Sequence, residues 1–174
     1  CAGADKEKAS NNGWTPLMKA CSNGHELSAR ALLEAGANKE AVQNQGCTAL
    51  MLSCQNGHEL CARALLENGA AVDVARPNGF TALMTACKFG HDLCARALLE
   101  AGAAVDVQEN MGNTALNKAC KNGHEQCAKV LLEAGAAPTK CPCCTCRGRQ
   151  EEAWSSSTSR GVLRWPGSTR TLPR

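Results

Sequence analysis

The stretch GWTPLMKACSNGHELSARALLEAGA, residues 13–37, sets the pattern for most of this chain. It returns with few changes as GCTALMLSCQNGHELCARALLENGA at 46–70, GFTALMTACKFGHDLCARALLEAGA at 79–103 and GNTALNKACKNGHEQCAKVLLEAGA at 112–136. The glycines that open the four copies, Gly13, Gly46, Gly79 and Gly112, are evenly spaced, and no insertion breaks this period. A fixed period of this length indicates a stack of repeated structural units.

Each copy predicts two short helices separated by a turn. Thr15 is a typical N-cap, and Pro16 suits the first helical position because its missing N–H would be unpaired there anyway. The first helix is expected to end at Asn23-Gly24, and the second to run from about 26 to 35. The apolar side of the second helix is expected to comprise Leu27, Ala31, Leu32 and Leu33.

The predicted helices need neighbours to be stable. Helices of about ten residues are marginal alone, but stacked copies bury a continuous core between them. Glu26, Arg30 and Glu34 stand at every fourth position of the second helix, as do their counterparts in the other copies. These rows predict a solvated outer face with modest ion pairing.

Composition restricts the class of protein further. The chain has 174 residues, of which 44% are hydrophobic and 3% aromatic, so any core must consist of Ala, Leu, Cys and Val. Residues 141–174 carry six Arg and two Glu, and the preceding part, 1–140, carries 13 basic and 14 acidic groups. The body is therefore near neutral, which does not favour nucleic-acid binding. The apolar runs are too short for a membrane-spanning helix.

The repeated motifs resemble the ankyrin repeat over residues 13–140. The family's Gly-x-Thr-Pro-Leu-His motif appears as GWTPLM at 13–18 and as GCTALM, GFTALM and GNTALN in the later copies. The Gly-His turn and the Leu-Leu-x-x-Gly-Ala ending occur in all four. The motif histidine is replaced by Met18, Met51, Met84 and Asn117, and the proline survives only at Pro16.

This resemblance implies an all-α solenoid of helix–turn–helix units with projecting β-turn or hairpin loops. Ala2-Gly3-Ala4 aligns with Ala35-Gly36-Ala37, so the first residues are interpreted as the end of a preceding repeat and the chain as a fragment. The predicted units are a truncated repeat at 1–12, repeats at 13–45, 46–78, 79–111 and 112–140, and a Cys-rich basic tail at 141–174 that we expect to be disordered.

The resemblance also implies a partner-binding surface, because residues on the turns and the inner helix of ankyrin repeats commonly face the ligand. Trp14, Phe80 and Phe89 lie there outside the core pattern, and aromatic residues are enriched as interface anchors. Lys88 and Lys121 would favour acidic partner groups. The predicted contact residues are Trp14, Ser22, Asn23, Asn44, Gln45, Cys47, Gln55, Asn56, Asn78, Phe80, Lys88, Phe89, Met111, Asn113, Lys121 and Asn122.

Histidines and cysteines also follow the repeat. His25, His58, His91 and His124 share one slot, which is interpreted as a structural turn position because a catalytic base would not form a ladder. Eight cysteines follow the helices or turns, and ladder partners have no fixed pairing in the sequence. We therefore interpret them as reduced thiols in a core, which places the protein in a reducing, cytoplasmic compartment.

The predicted function is a non-catalytic protein–protein interaction scaffold, monomeric and without cofactor, nucleic acid or membrane. Two alternatives remain open. The chain could be the regulatory or targeting arm of a larger enzyme or channel whose catalytic part lies upstream. The tail could also bind a soft metal ion through its four clustered thiols, Cys141, Cys143, Cys144 and Cys146, although only Cys143 and Cys146 have the usual spacing.

Overall fold

The computed structural model describes residues 5–137, so the predictions for the truncated start and for the tail, including Cys141, Cys143, Cys144 and Cys146, lie wholly or partly outside the described residues. Within residues 5–137 the chain forms eight helices and no strand, which confirms the all-α fold. Their bounds are α1 Pro16–Ser22, α2 Glu26–Glu34, α3 Ala49–Asn56, α4 Glu59–Glu67, α5 Ala82–Phe89, α6 Asp92–Glu100, α7 Ala115–Lys121 and α8 Glu125–Glu133.

The helices form two layers. The first helices of the four pairs, α1, α3, α5 and α7, pack side by side in order. The second helices, α2, α4, α6 and α8, pack in the same order and each also contacts the first helix of its own pair. Each unit therefore buries its apolar side against its own partner helix and against the neighbouring unit, as expected for a repeat array.

Threonine begins every first helix. Thr15, Thr48 and Thr81 each accept a hydrogen bond from the backbone N–H three positions on, at 3.3 Å. Thr114 does the same, and the side chain of Asn117 accepts from the Thr114 backbone in return at 3.0 Å, which completes a capping box. The predicted caps are confirmed.

The core is formed by small and aliphatic side chains. Leu50, Leu83 and their counterparts on the other first helices are buried, together with the methionines Met18, Met51 and Met84 that occupy the family's histidine slot. The apolar side predicted for α2 is partly wrong: Leu27 is 82% exposed and Ala31 is also exposed. The helix instead buries Ala29 and Leu33, because these residues face α1 and α4.

Tight turns precede the first helices. In each of the four, a backbone N–H donates to the carbonyl four positions on, as Arg76 does to Phe80 at 2.9 Å. The turn glycines that open the predicted repeats, such as Gly79 at φ +81°, have positive φ values. The projecting turns are thus present, although no strand is formed among residues 5–137; the exact repeat boundaries stay a prediction.

Polar contacts at fixed positions join adjacent units. Arg63 of α4 bonds Glu59 of its own helix at 2.7 Å and Glu100 of α6 at 3.0 Å, so the predicted outer charge row also links neighbours. Arg30 makes the same pair of contacts one unit earlier. These side chains are partly exposed, so each pair contributes little to stability.

None of the described helices is both long and apolar enough to cross a membrane.

Candidate partner-binding surface

The first helices and the turns before them present one continuous set of side chains, here called the first-helix surface. It consists of the exposed and half-buried side chains of α1, α3, α5 and α7 and of the four preceding turns. The aromatic residues of the described chain all lie on it. Phe89 is 44% exposed at the end of α5, whereas Trp14 and Phe80 are half-buried on turns and pack against the edge of the core.

Each aromatic ring is covered by a lysine. The Lys19 ammonium lies 4.6 Å from the centre of the Trp14 ring. Lys88 lies 5.2 Å from the Phe89 ring and 5.7 Å from the Phe80 ring. These distances are those of cation–π contacts, which hold the ammonium groups near the rings while leaving their other hydrogen-bond donors available.

A buried carboxylate holds a second lysine near the Phe80 ring. Lys118 of α7 lies 4.7 Å from that ring and 2.9 Å from the Glu109 carboxylate, which is almost fully buried in the preceding turn. Hydrogen bonds from the Asn113 amide and from Lys118 lower the pKa of Glu109, so it remains a carboxylate. Lysines from two neighbouring helices, Lys88 of α5 and Lys118 of α7, therefore lie near the Phe80 ring.

Most amide side chains on this surface already have partners within the protein. The Asn56 amide donates to the carbonyl and the hydroxyl of Ser22 at 2.9 and 3.0 Å. Gln55 accepts from Arg76 at 3.3 Å, and Asn122 donates to the Lys118 carbonyl at 2.8 Å. These bonds fix the side chains, so the surface is ordered before any partner arrives.

One predicted contact residue is wrong. Cys47 is 2% exposed and belongs to the core, because its short side chain is covered where the larger rings of Trp14 and Phe80, in the same slot of neighbouring repeats, stay half-buried. The other predicted residues are accessible. Ten are exposed, namely Asn23, Asn44, Gln45, Asn56, Asn78, Lys88, Phe89, Met111, Lys121 and Asn122, and five are half-buried, namely Trp14, Ser22, Gln55, Phe80 and Asn113. Accessibility does not by itself test the contact.

Comparison with known proteins agrees with this architecture. The family model for ankyrin repeats (3 copies) matches residues 2–76 and 70–140, which is more than half of the chain. The chain belongs to the ankyrin repeat family. A search of curated proteins finds no match.

Charge in these ankyrin repeats is divided between the two helix layers. The first helices carry four lysines, Lys19, Lys88, Lys118 and Lys121, and no acidic residue, a net charge of +4. The second helices carry eight acidic and four basic side chains, a net charge of −4. A near-neutral body thus has a basic first-helix surface and an acidic outer surface.

The histidine ladder ties the ankyrin units together. His58 lies 3.1 Å from the Ser22 carbonyl of the preceding repeat, and His91 and His124 make the same contact at 3.2 and 3.1 Å. Each ring also lies against the preceding repeat's turn glycine, such as Gly57 beside His91. These contacts support the structural interpretation of the histidines.

A second ladder was missed in the sequence. Glu7, Glu40, Asp73 and Asp106 each accept a hydrogen bond from a backbone N–H in the next repeat, at 2.9–3.1 Å. Their recurrence at intervals of one repeat period, from the first residues to the third copy, is the signal in the sequence that could have revealed them. Lys19 and Lys118 were also missed, because lysine on a short helix has no distinctive pattern.

The described cysteines are reduced thiols. Seven are buried and Cys120 is half-buried, in agreement with the core interpretation. Within residues 5–137 no group of three or more His, Cys, Asp and Glu side chains has an arrangement that could hold a metal ion.

Proposed function

We propose that this ankyrin-repeat array is a non-catalytic binding module that uses the first-helix surface to hold an acidic segment of a partner protein. The observation that carries the proposal is the division of charge between the helix layers, with the aromatic residues on the basic side. Four lysines and three aromatic residues share one surface, whereas the opposite layer is acidic. An acidic segment would be attracted to the first surface and repelled by the second.

The aromatic side chains give this surface its expected anchors. Phe89 is the most exposed of them, and Lys88 lies beside its ring. A partner that places an apolar side chain against Phe89 and a carboxylate against Lys88 would use both members of this pair. Trp14 with Lys19 repeats the arrangement two units away, at 4.6 Å. A partner that spans both pairs would need an extended segment with acidic and apolar residues.

The ordering of the surface before binding favours affinity. Association costs free energy when loops and side chains lose freedom, about 0.5–1.5 kcal/mol for each immobilised side chain. Here Asn56, Gln55 and Asn113 are already hydrogen-bonded within the protein. Less side-chain freedom remains to be lost on binding.

The surface would act in the same way in an isolated module or as the targeting arm of a larger protein. We place the module in a reducing compartment, the cytoplasm, because its described cysteines are free and all but Cys120 are buried. We expect it to bind as a monomer.

Selection from a displayed library of random peptides tests the proposed partner chemistry. The full-length protein is immobilised, and recovered peptides are expected to be enriched in Asp and Glu with one or more apolar residues. Their affinity should fall at least about tenfold in Phe89→Ala combined with Lys88→Ala, which corresponds to about 1.4 kcal/mol. Leu93→Ala combined with Arg96→Ala, on the outer helix α6, is the matched control and should bind normally.

Two results of this selection would overturn the proposal. Recovered peptides could be neutral or basic, or they could bind the α5 variant as tightly as the parent protein. Circular dichroism of both variants confirms that a loss of binding does not come from unfolding.

A further inference from the structure

The turn before α5 contains an arginine whose hydrogen-bond donors are mostly unused. Arg76 is half-buried at the start of this turn. One of its terminal nitrogens donates to the side-chain oxygen of Gln55 on α3 at 3.3 Å, and its Nε atom is buried without a hydrogen-bond partner. No other side-chain nitrogen or oxygen atom buried in this way among residues 5–137 lacks a partner. Because buried polar atoms are nearly always hydrogen-bonded, this exception needs an explanation.

The same position of the other three turns holds a side chain that stabilises its own turn. These side chains each accept a hydrogen bond from a backbone N–H of that turn, at 3.3 Å for Ser10, 2.6 Å for Gln43 and 3.4 Å for Glu109. Arginine has no acceptor atom, so Arg76 cannot form this bond. In its turn, Asn78 accepts a backbone N–H instead, at 3.2 Å. Arg76 therefore does not have the local structural role that the other three residues have.

No carboxylate of the described chain neutralises the Arg76 guanidinium. The ion pairs within residues 5–137 do not include Arg76. The first helices and the four turns before them contain one acidic side chain, Glu109, which is already paired with Lys118 at 2.9 Å. A partly buried charge without a counter-ion is unfavourable. A carboxylate from another molecule would therefore gain a charge-assisted interaction that the described chain does not provide.

Gln55 adds further donors beside the guanidinium. Its side-chain oxygen accepts the bond from Arg76, which orients the amide, and its two amide N–H donors have no partner among residues 5–137. Of the five N–H donors of the guanidinium, only the one bonded to Gln55 is used there. Arg76 and Gln55 thus form a group of donors, here called the Arg76 donor cluster. A guanidinium with free donors matches the planar geometry of a carboxylate.

The Arg76 donor cluster lies in the middle of the first-helix surface. Gln55 belongs to α3, and Arg76 belongs to the turn that leads into α5. Because α1, α3 and α5 pack side by side in order, the Trp14 ring with its lysine lies one unit before α3. The Phe89 ring with its lysine lies one unit after α3. A partner segment that reaches from Trp14 to Phe89 therefore has to cross the cluster.

We propose that Arg76, oriented by Gln55, is the carboxylate receptor at the centre of this surface and determines its specificity for an acidic residue there. The inference rests on the proposed function, because the carboxylate belongs to the acidic partner segment. Two guanidinium N–H groups donate to the two carboxylate oxygens, an arrangement that a lysine ammonium does not reproduce. The carboxylate is that of an acidic side chain or of a chain end. The surface lysines attract the segment, and Arg76 fixes its register.

Heteronuclear NMR of the labelled full-length protein tests the receptor directly. The Arg76 Nε–H signal is identified by its loss in Arg76→Lys, and three acetylated peptides are titrated. The first has four glutamates around one leucine and an amidated end, the second has glutamines instead and a free carboxylate end, and the third has glutamines and an amidated end. The Arg76 signal should shift saturably with the first or the second peptide and not with the third. The peptide that acts at the lower concentration identifies the source of the carboxylate.

Substitutions of Arg76 separate hydrogen-bond geometry from charge. The dissociation constant of the carboxylate peptide that binds should rise at least about tenfold in Arg76→Gln, which removes hydrogen bonds to a charged group. Arg76→Lys keeps the charge without the paired donors, so its dissociation constant should lie between those of the parent and of Arg76→Gln. Arg96→Gln and Arg96→Lys are the matched controls, because Arg96 is exposed on α6 of the outer layer. They change the net charge equally and should bind as the parent does.

Either of two results would overturn this inference. One is that the Arg76 signal stays in place, or that the peptide without a carboxylate moves it equally. The other is that Arg76→Lys, shown by circular dichroism to be folded, binds as tightly as the parent. A failure of the proposed function has a different result. In that case Lys88→Ala combined with Phe89→Ala would bind the glutamate peptide as tightly as the parent, whether or not the Arg76 signal moves.

Discussion

At the scale of single residues, the same side chain acts differently according to whether a neighbouring repeat contacts it. His58, His91 and His124 reach a carbonyl of the preceding repeat, whereas His25 is exposed and makes no such bond among the described residues. The role of this slot as a structural turn position could be predicted from its regular recurrence. The carbonyl that each ring contacts could not be predicted, because the sequence does not show how closely two turns approach each other.

The turn glycines offer a matched pair for testing the histidine ladder. Gly57 and Gly123 have φ values of +77° and +74°, so alanine at either position should cost about 1–2 kcal/mol of stability. A Cβ atom at Gly57 would lie 2.6 Å from Nδ1 of His91, whereas at Gly123 it would meet no described atom within 4 Å. Gly57→Ala should therefore lose a further ~1–2 kcal/mol, as the His91 ring is displaced from its carbonyl. Urea unfolding midpoints of the two variants measure this difference, and equal midpoints would contradict the role of the ladder.

At the scale of helices and turns, the sequence predicted where elements begin better than which side they bury. Thr81 and the other caps could be identified because the capping interaction is local. The buried side of α2 could not be identified from the sequence, because the helix has two apolar sides. Leu27 and Ala31 form one of them, and Ala29 and Leu33 form the other. Contact with α1 and α4 selects the second side. Burial here is decided by neighbouring elements, which a periodicity within one helix does not contain.

The ion pair between Glu109, in the turn before α7, and Lys118 of α7 predicts a dependence of stability on pH. Glu109 accepts hydrogen bonds from Asn113 and Lys118, and its pKa is lowered. A carboxyl whose pKa is lower in the folded state contributes stability above its ordinary pKa and loses it as the pH falls through the lowered value. Glu109→Gln should therefore cost about 1–2 kcal/mol at pH 7, and less as the pH falls below its ordinary value of 4.5.

Urea titrations at neutral and acidic pH measure this effect. Glu133→Gln, at the exposed end of α8, is the matched control and should change stability little at either pH. A Glu109→Gln deficit that stays constant from neutral to acidic pH would show that the lost contact does not depend on the charge of the carboxylate.

At the scale of the whole molecule, the regular repeat period determines the fold, and the division of charge points to the function. The ankyrin architecture follows from the repeat because several positions recur in register four times. Most predicted surface residues are accessible, with Cys47 as the exception. The basic first-helix layer could have been found by adding charges helix by helix, but the sum over the whole body is near zero and conceals it.

Quantitative capture from a cell lysate tests the central claim, that the first-helix surface binds the partner. Three full-length baits are compared by mass spectrometry: the parent protein, a first-helix variant with Trp14→Ala, Phe80→Ala and Phe89→Ala, and an outer-helix variant with Leu27→Ala, Leu60→Ala and Leu93→Ala. The three leucines are exposed, so their truncation serves as a control for lost apolar area. The account predicts a protein retained by the parent and outer-helix baits and lost from the first-helix bait. Equal retention by the parent and first-helix baits, or loss from the outer-helix bait alone, would contradict it.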